Sequence, residues 1–345
     1  PAAQEMLIRA DELKIGTAFS RADKMSPCNI GSAGMCCKLC GMGPCRLTKE
    51  GDTGVCGATI DTIQARNLIR AIAAGAAAHS DHGRDMAFTL KAVANGQTEG
   101  YRIRDVAKLR VVATRYGIDI EGRAPEEIAN ELADLYIAQF GQQKGEVVVI
   151  NNAPEKRLKL WRDLNVVPRG IDREVVEALH RTHIGDDQDH EHILNHAVRT
   201  SLADGWGGSM IATDISDILF GTPAPILGEA NLGVLKDDMV NVVVHGHEPT
   251  LSQMIVAASQ DPEIIAYARE AGSEGVNLTG ICCTANEILM RQGIPAAGNF
   301  LHQELSILTG SVEAMVVDVQ CVMQALVGLA ENFHTKIITT SPKVK

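Results

Sequence analysis

The segment PCNIGSAGMCCKLCGMGPCRLTKEGDTGVC, residues 27–56, contains six of the nine cysteines of the chain. Glycines and prolines separate these cysteines, which is typical of a compact loop structure rather than of a regular helix or strand. Clustered cysteines in an intracellular protein are more often metal ligands or catalytic thiols than disulfide partners. The segment therefore predicts a metal site, and we expect a cytoplasmic protein.

Four of these cysteines have the spacing Cys37-x2-Cys40-x4-Cys45-x10-Cys56. Four thiolates suit either a zinc ion or an iron–sulfur cluster. A structural zinc ribbon usually has two CxxC knuckles, whereas this segment has only one. The uneven spacing favours a cubane cluster, because the loop must pass round several faces of a larger object.

Cys28 and Cys36 remain outside this set of four. Cys36 is the neighbour of Cys37, and adjacent side chains in an extended or turning backbone generally point in different directions. Two thiolates cannot complete a tetrathiolate cluster, but two copies of the chain can do so across a symmetry axis. The alternative is a pair of buried free thiols, and the spacing alone leaves both interpretations open.

On the C-terminal side of the cysteines, the sequence predicts helices as far as about residue 223. Residues 61–93 predict a long helix with Asp61 as its N-cap, and residues 125–140 predict another. Residues 146–150 fit a short strand or the start of a helix. The composition is 45% hydrophobic and 3% aromatic, so we expect a core of Ala, Val, Ile and Leu.

The chain then changes character. From residue 224 onward, apolar β-branched runs alternate with helical segments, which predicts a parallel sheet covered on both faces. Ligands bind at the carboxyl ends of the strands in such sheets. Histidines and cysteines follow three of the predicted strands: His245, His247, Cys282, Cys283 and Cys321. We therefore predict a multidomain protein, with an all-helical domain (1–223) followed by an α/β domain (224–345).

The formal net charge of −11 argues against a nucleic acid as partner. No apolar run reaches the length of a membrane span. The chain begins at Pro1 without a methionine, and we expect it to be a piece of a longer protein, with an α/β domain that is incomplete at its C-terminus.

Four motifs have a specific resemblance: PCNIGSAGMCCKLCGMGPCRL (27–47), VVVHGHEPTLSQMI (242–255), GICCTANEILMRQGIP (280–295) and VVDVQC (316–321). Together they resemble the catalytic subunit of nickel-containing carbon monoxide dehydrogenases, and most of all the form that partners acetyl-CoA synthase. The resemblance covers essentially the whole chain. It implies a homodimer with an N-terminal helical domain that carries iron–sulfur clusters, followed by Rossmann-like α/β domains.

The resemblance also implies a role for each cysteine and histidine of the motifs. Cys37, Cys40, Cys45 and Cys56 would hold a [4Fe-4S] cluster within the subunit. Cys28 and Cys36 would hold half of a cluster that bridges two subunits. His247, Cys283 and Cys321 would bind a Ni-Fe-S active cluster of the Ni-4Fe type.

The implied reaction is the reversible oxidation of CO with water to CO2, two electrons and two protons. The electrons would leave through the clusters to a ferredoxin-like carrier, and CO would pass on to acetyl-CoA synthase. Some members of the family have four histidines at a spacing of three, which suits a proton path. Here His79 and His82 are present, whereas Asp85 and Phe88 occupy the other two positions.

Two alternatives remain. The family's other active-cluster cysteines and a lysine lie further along its chain, and no cysteine follows Cys321 here. One alternative is therefore an electron-transfer fragment without a complete active site. The other is a hybrid-cluster (prismane-type) protein that reduces hydroxylamine, although the HGHEP, GICCTANE and DVQC motifs favour CO dehydrogenase.

Overall fold

A computed structural model describes residues 1–184 and 186–344. Internal contacts divide the chain into two compact units. One unit comprises Pro27–Gly221, and the other combines Pro1–Ser26 with the chain from Thr222 onward. The unit Pro27–Gly221 is mainly helical, and the other unit contains a parallel sheet.

The helical unit is built around one long helix. Its helices are α3 (Asn29–Ser32), α4 (Ile60–Ala94), α5 (Val106–Arg115), α6 (Pro125–Gly141), α7 (Glu155–Asp163), α8 (Ile171–Arg181), α9 (His190–Ala203) and α10 (Ser209–Phe220). A short hairpin joins β1 (Cys36–Cys37) to β2 (Cys45–Arg46). A 3₁₀ turn spans Val148–Asn152, and a π-helical turn spans Asp204–Gly208. Residues 146–150 therefore form neither a strand nor an α-helix.

Helix α4 has 35 residues and packs against α6, α8, α9 and α10. Its buried face includes Met86 and Leu90, which lie in the largest apolar cluster of the unit. The N-cap is Thr59, whose hydroxyl accepts the backbone N–H of Thr62 at 3.3 Å. The predicted Asp61 N-cap is wrong, because Asp61 already lies in the first helical turn.

A buried ionic network ties α8 to α9. Glu174 on α8 is fully buried and lies 2.8 Å from an Arg169 guanidinium nitrogen and 3.0 Å from Nε2 of His196. Burial acts to raise the pKa of Glu174, but the hydrogen bonds from His196 and Arg169 lower it to about 2. The carboxylate therefore stays ionised in the core. Removing one member of such a buried pair typically costs about 3–5 kcal/mol.

The α/β unit contains a five-stranded sheet whose strands are all parallel, in the order β5-β4-β3-β6-β7. The strands are β3 (Val240–Gly246), β4 (Val276–Ile281), β5 (Ala296–Gly298), β6 (Val312–Val317) and β7 (Lys336–Thr339). The helices are α1 (Ala2–Glu12), α2 (Ala18–Asp23), α11 (Pro249–Ser259), α12 (Pro262–Glu270), α13 (Cys282–Gln292), α14 (Gln303–Leu308) and α15 (Ala325–Ala330). Shorter 3₁₀ turns lie at Leu232–Val234 and Phe300–His302. The predicted parallel α/β fold is confirmed.

The first 26 residues pack with this sheet unit, although the helical unit follows them directly in the sequence. Ala10 on α1 is buried in the same apolar cluster as Leu305 and Leu308 of α14. The buried carboxylate of Glu304 accepts the backbone N–H of Ala18 at 2.5 Å and a guanidinium N–H of Arg21 at 2.6 Å. These contacts join residues almost 300 positions apart, which a local sequence pattern cannot reveal.

Within residues 1–184 and 186–344, no helix is both long enough and apolar enough to cross a membrane.

Candidate functional site

The cysteine segment folds as a hairpin on the N-terminal end of α4. Strands β1 and β2 pair antiparallel, with Cys37 opposite Cys45 and Cys36 opposite Arg46. Because successive side chains of a strand point to opposite faces, Cys36 and Cys37 project to different sides of the hairpin. The hairpin thus separates the side chain of Cys36 from those of Cys37 and Cys45.

Side-chain amides of α4 anchor the hairpin. Asn67 donates hydrogen bonds to the carbonyl oxygens of Gly34 at 2.8 Å and Cys36 at 3.1 Å. Gln64 donates to the carbonyl oxygen of Ala33 at 2.7 Å. The long helix thus fixes the loop that carries Cys36 and Cys37.

Backbone N–H groups point at several of the cysteine sulfurs. Val55 N–H donates to Sγ of Cys45, and Gly31 N–H donates to Sγ of Cys28, both at 3.4 Å. Backbone N–H donors lower the pKa of Cys28, and the N–H of Ala58 lowers the pKa of Cys56. Hydrogen bonds of this kind favour the thiolate, which is the form that binds metals. They also surround the sulfurs of iron–sulfur clusters.

All nine cysteines lie within the described residues, and all nine are free thiols. Within residues 1–184 and 186–344, no group of three or more His, Cys, Asp or Glu side chains is placed to hold a single metal ion. The spacing of Cys37, Cys40, Cys45 and Cys56 therefore remains the observation that favours a cluster over zinc.

The second candidate site lies at the carboxyl edge of the sheet. Strand β3 lies between β4 and β6, with His245 in register with Ile281 and Val317. The chain proceeds from β3 to β4 and β5 on one side and then crosses to β6 on the other, so β3 and β6 form a topological switch point. The edge is thus the position where a doubly wound sheet binds its ligand.

The structure brings the predicted residues of three strand ends to this edge. His247 follows β3 directly, Cys282 and Cys283 begin α13 directly after β4, and Cys321 lies in the turn after β6. Gly246 forms an isolated bridge with Cys282. The thiols of Cys282 and Cys283 both interact with that of Cys321. The three strand ends thus place His247, Cys283 and Cys321 at the same edge of the sheet.

The cysteines at this edge have unusual backbone conformations. Cys282 has φ = 65° and Cys321 has φ = 56°, in the left-handed region that residues other than glycine seldom adopt. Such conformations cost on the order of 1–3 kcal/mol each and persist only where the surroundings impose them. Gln303 supplies one such restraint, because it donates from Nε2 to the carbonyl oxygen of Cys321 at 2.9 Å. A cavity of about 460 Å³ opens beside Cys321.

The donor atoms at the edge fit an iron- or nickel-containing group better than Mg²⁺ or Ca²⁺, because thiolate and imidazole are soft to borderline ligands. Burial and the neighbouring thiols of Cys321 and Cys283 raise the pKa of Cys282 to about 12. Burial likewise raises the pKa of Cys283, so the pKa shifts do not distinguish one thiol from the other. His245 is fully buried and bonds Oε1 of Gln303 through Nε2 at 3.0 Å, as expected for a structural residue.

His79 forms a third candidate site in the helical unit. Its Nδ1 lies 2.7 Å from Oδ1 of Asp204, which also accepts the hydroxyl of Ser209 at 3.0 Å. The hydrogen bond to Asp204 raises the pKa of His79. His82, one helical turn later, is buried.

Asp204 was not predicted from the sequence. It begins the π-helical turn, which packs backbone to backbone against α4. A Cβ atom on Gly83 would lie 2.6 Å from the carbonyl oxygen of Gly208, so glycine is required at this approach. In the sequence, the signal for this contact is the glycine-rich run DGWGGS (204–209), which contains the π turn. Turns of this kind are frequent at functional sites.

Comparison with known proteins relates the chain to one family. Residues 35–345 match the model of the Prismane/CO dehydrogenase family. "Carbon monoxide dehydrogenase 1" of Methanosarcina mazei is 56% identical over 347 residues, which cover 99% of this chain and 55% of that protein. "Carbon monoxide dehydrogenase/acetyl-CoA synthase subunit beta" of Moorella thermoacetica is 45% identical over 352 residues, which cover 100% of this chain and 52% of that protein.

A solved structure agrees with these matches. A Ni-free crystal structure of carbon monoxide dehydrogenase from Thermococcus sp. AM4 superimposes with a TM-score of 0.96 at 52% identity, over 99% of this chain and 55% of that chain. The chain spans about half the length of the curated relatives it matches. The resemblance to nickel-containing carbon monoxide dehydrogenases is confirmed.

We predict that Asp204→Asn lowers the pKa of His79, because a neutral amide no longer stabilises the protonated ring. Diethyl pyrocarbonate reacts with the neutral imidazole, so its reaction rate at His79 can be followed against pH by peptide mass spectrometry. The wild-type His79 should stay protonated to a higher pH than an ordinary histidine, and the variant should lose its proton earlier. The control is Asp81→Asn, since Asp81 pairs with Arg84. If the pH profile of the His79 reaction is unchanged in Asp204→Asn, Asp204 does not raise the pKa of His79.

Proposed function

The chain belongs to the Prismane/CO dehydrogenase family, and on that premise we propose that it catalyses the reversible oxidation of CO with water to CO2, two electrons and two protons. The observation that carries this proposal is that His247, Cys283 and Cys321 follow three adjacent parallel strands at the same edge of the sheet. These residues occupy the motifs that resemble the ligands of the family's active cluster. The relatives with 45–56% identity are named carbon monoxide dehydrogenases.

We assign His247, Cys283 and Cys321 as ligands of a Ni-Fe-S cluster of the Ni-4Fe type. When bound, such a cluster supplies one metal that binds CO and another that makes a bound water more acidic. The protein positions the donors by ending three parallel strands at one edge. Left-handed backbone at Cys321 sets the direction of its side chain.

We assign proton uptake to His79. Its Nδ1 faces the carboxylate of Asp204, which favours a proton on that nitrogen, and Nε2 is the proposed site of proton uptake. Asp204 stabilises the imidazolium that results, as a carboxylate does beside a catalytic histidine. His82, on the next turn of α4, is the proposed second carrier.

We assign electron transfer to the cysteine segment. Cys37, Cys40, Cys45 and Cys56 would hold a [4Fe-4S] cluster within the subunit, and Cys28 and Cys36 would contribute half of a cluster shared in a homodimer. Cys28 is exposed in the single chain, which leaves its thiol accessible to a second subunit. A ferredoxin-like protein is the proposed acceptor, and acetyl-CoA synthase is a proposed recipient of CO.

The proposed activity predicts that anaerobically purified protein reduces a viologen dye when CO is supplied, and that this activity requires nickel. His247→Ala and Cys321→Ser should each lower it by more than about 100-fold, beyond the effect typical of residues that only surround a metal site. The measurements are the rate of CO-dependent dye reduction and the nickel content.

Cys282→Ser is the matched control, because it changes a neighbouring thiol that is not a proposed ligand and should leave the nickel content near that of the wild type. CO-dependent reduction by nickel-free protein would contradict the proposal. Hydroxylamine reduction in the absence of any CO-dependent activity would favour the hybrid-cluster alternative instead.

The shared cluster has a separate test. Cys28→Ser should remove about two iron atoms per subunit, which is half of a shared four-iron cluster, and should weaken the dimer. Cys36→Ser should do the same, and the double variant should lose no more iron than either single variant. Iron analysis and sedimentation measure both effects. Unchanged iron in Cys28→Ser would contradict the bridge.

A further inference from the structure

We propose that Asp318 is a positioning residue that holds the three ligand-bearing strand ends together. This inference rests on the proposed ligand roles of His247, Cys283 and Cys321. Asp318 is not itself a proposed ligand. It acts through hydrogen bonds to the segments on which the ligands lie.

The carboxylate of Asp318 contacts all three segments. Its Oδ1 accepts the backbone N–H of His247 at 2.6 Å, and its Oδ2 accepts the hydroxyl of Thr284, the residue after Cys283, at 3.3 Å. Asp318 itself directly follows β6 and precedes Cys321 by three residues. One side chain therefore connects the ends of β3, β4 and β6.

The burial and the hydrogen bonds of Asp318 indicate that its contacts are specific. The residue is only 6% exposed, and a buried carboxylate is costly unless hydrogen bonds satisfy its oxygens. His247 N–H, Thr284 Oγ1 and the backbone N–H of Val319 supply three donors. The backbone N–H of Asp318 also donates to the carbonyl oxygen of His245 at 3.1 Å, so the end of β6 is joined to β3 twice.

Gly246 makes room for this carboxylate. A Cβ atom at Gly246 would overlap with Asp318, and the glycine has φ = 142°, a conformation that other residues rarely adopt. The absence of a side chain at Gly246, the last residue of β3, thus leaves space for the carboxylate of Asp318, after β6. This explains why a glycine separates His245 from His247, a feature that strand propensity alone does not require.

Gln303 fixes the same turn from another side. Its Oε1 accepts the backbone N–H of Met323 at 2.8 Å, and its Nε2 donates to the carbonyl oxygen of Cys321. Gln303 also bonds Nε2 of His245 on β3 at 3.0 Å, but none of these bonds reaches the end of β4. Asp318 is therefore the residue that sets the separation between His247, Cys283 and Cys321.

The test uses the full-length protein, purified anaerobically with its metals. The variants are Asp318→Ala, which removes all the carboxylate contacts, and Thr284→Val, which removes only the contact beside Cys283. The matched control is Glu313→Gln, because Glu313 accepts the backbone N–H of Asn241 at 2.5 Å at the opposite end of β3. The measurements are nickel per subunit, the EPR spectrum of the nickel-containing cluster, and the signal of the Cys37–Cys56 cluster as a control for folding.

We expect Asp318→Ala to lower the nickel content about 10-fold or more, as loss of a residue that orients metal ligands typically does. Thr284→Val should produce a smaller loss and an altered spectrum of the same cluster. The signal of the Cys37–Cys56 cluster should be retained in both variants, and Glu313→Gln should match the wild type.

Wild-type nickel content and spectrum in Asp318→Ala would overturn the proposal, as would an equal loss of nickel in Glu313→Gln. If Asp318→Ala does not fold, an unaltered Thr284→Val overturns it. The His247→Ala variant distinguishes a wrong ligand assignment from a wrong positioning role for Asp318. Retention of nickel in that variant refutes the ligand assignment, whereas its loss together with unaltered Asp318 and Thr284 variants refutes only the positioning role.

Discussion

Parallel pairing of β4, β3 and β6 is the constraint on which the proposed active site depends. The strands are buried on both faces, so their interiors accept mainly apolar side chains such as Val243, Val244 and Leu278. The proposed ligands His247, Cys283 and Cys321 follow at the strand ends. Because the strands run in one direction, their ends lie at the same edge. Residues far apart in sequence thereby lie at one edge of the sheet.

A single helix organises the other unit. Near its N-terminus, α4 anchors the cysteine hairpin through Asn67. Near its middle, the helix places His79 beside Asp204. The close backbone approach of Gly83 and Gly208 sets that second contact. A rigid 35-residue helix is well suited to both tasks, because sites on regular elements are held more precisely than sites on flexible loops.

The sequence predicts those parts of the site that depend on local patterns. The spacing of Cys37–Cys56 and the apolar runs that end in His247, Cys283 and Cys321 are visible without a structure. Asp204 and Asp318 are not, because their partners lie 125 and 71 residues away and neither aspartate stands out in its own segment. The placement of α1 beside the sheet has the same explanation, since its contacts form only after the chain folds back on itself.

Anomalous X-ray diffraction at the nickel and iron absorption edges tests the central claim most directly. Crystals of the full-length, metal-replete protein should give a nickel signal at the sheet edge, close to His247, Cys283 and Cys321. Iron signals should appear there and beside Cys37, Cys40, Cys45 and Cys56. Nickel bound elsewhere, or a sheet edge without nickel and iron in an enzyme that oxidises CO, would contradict the account.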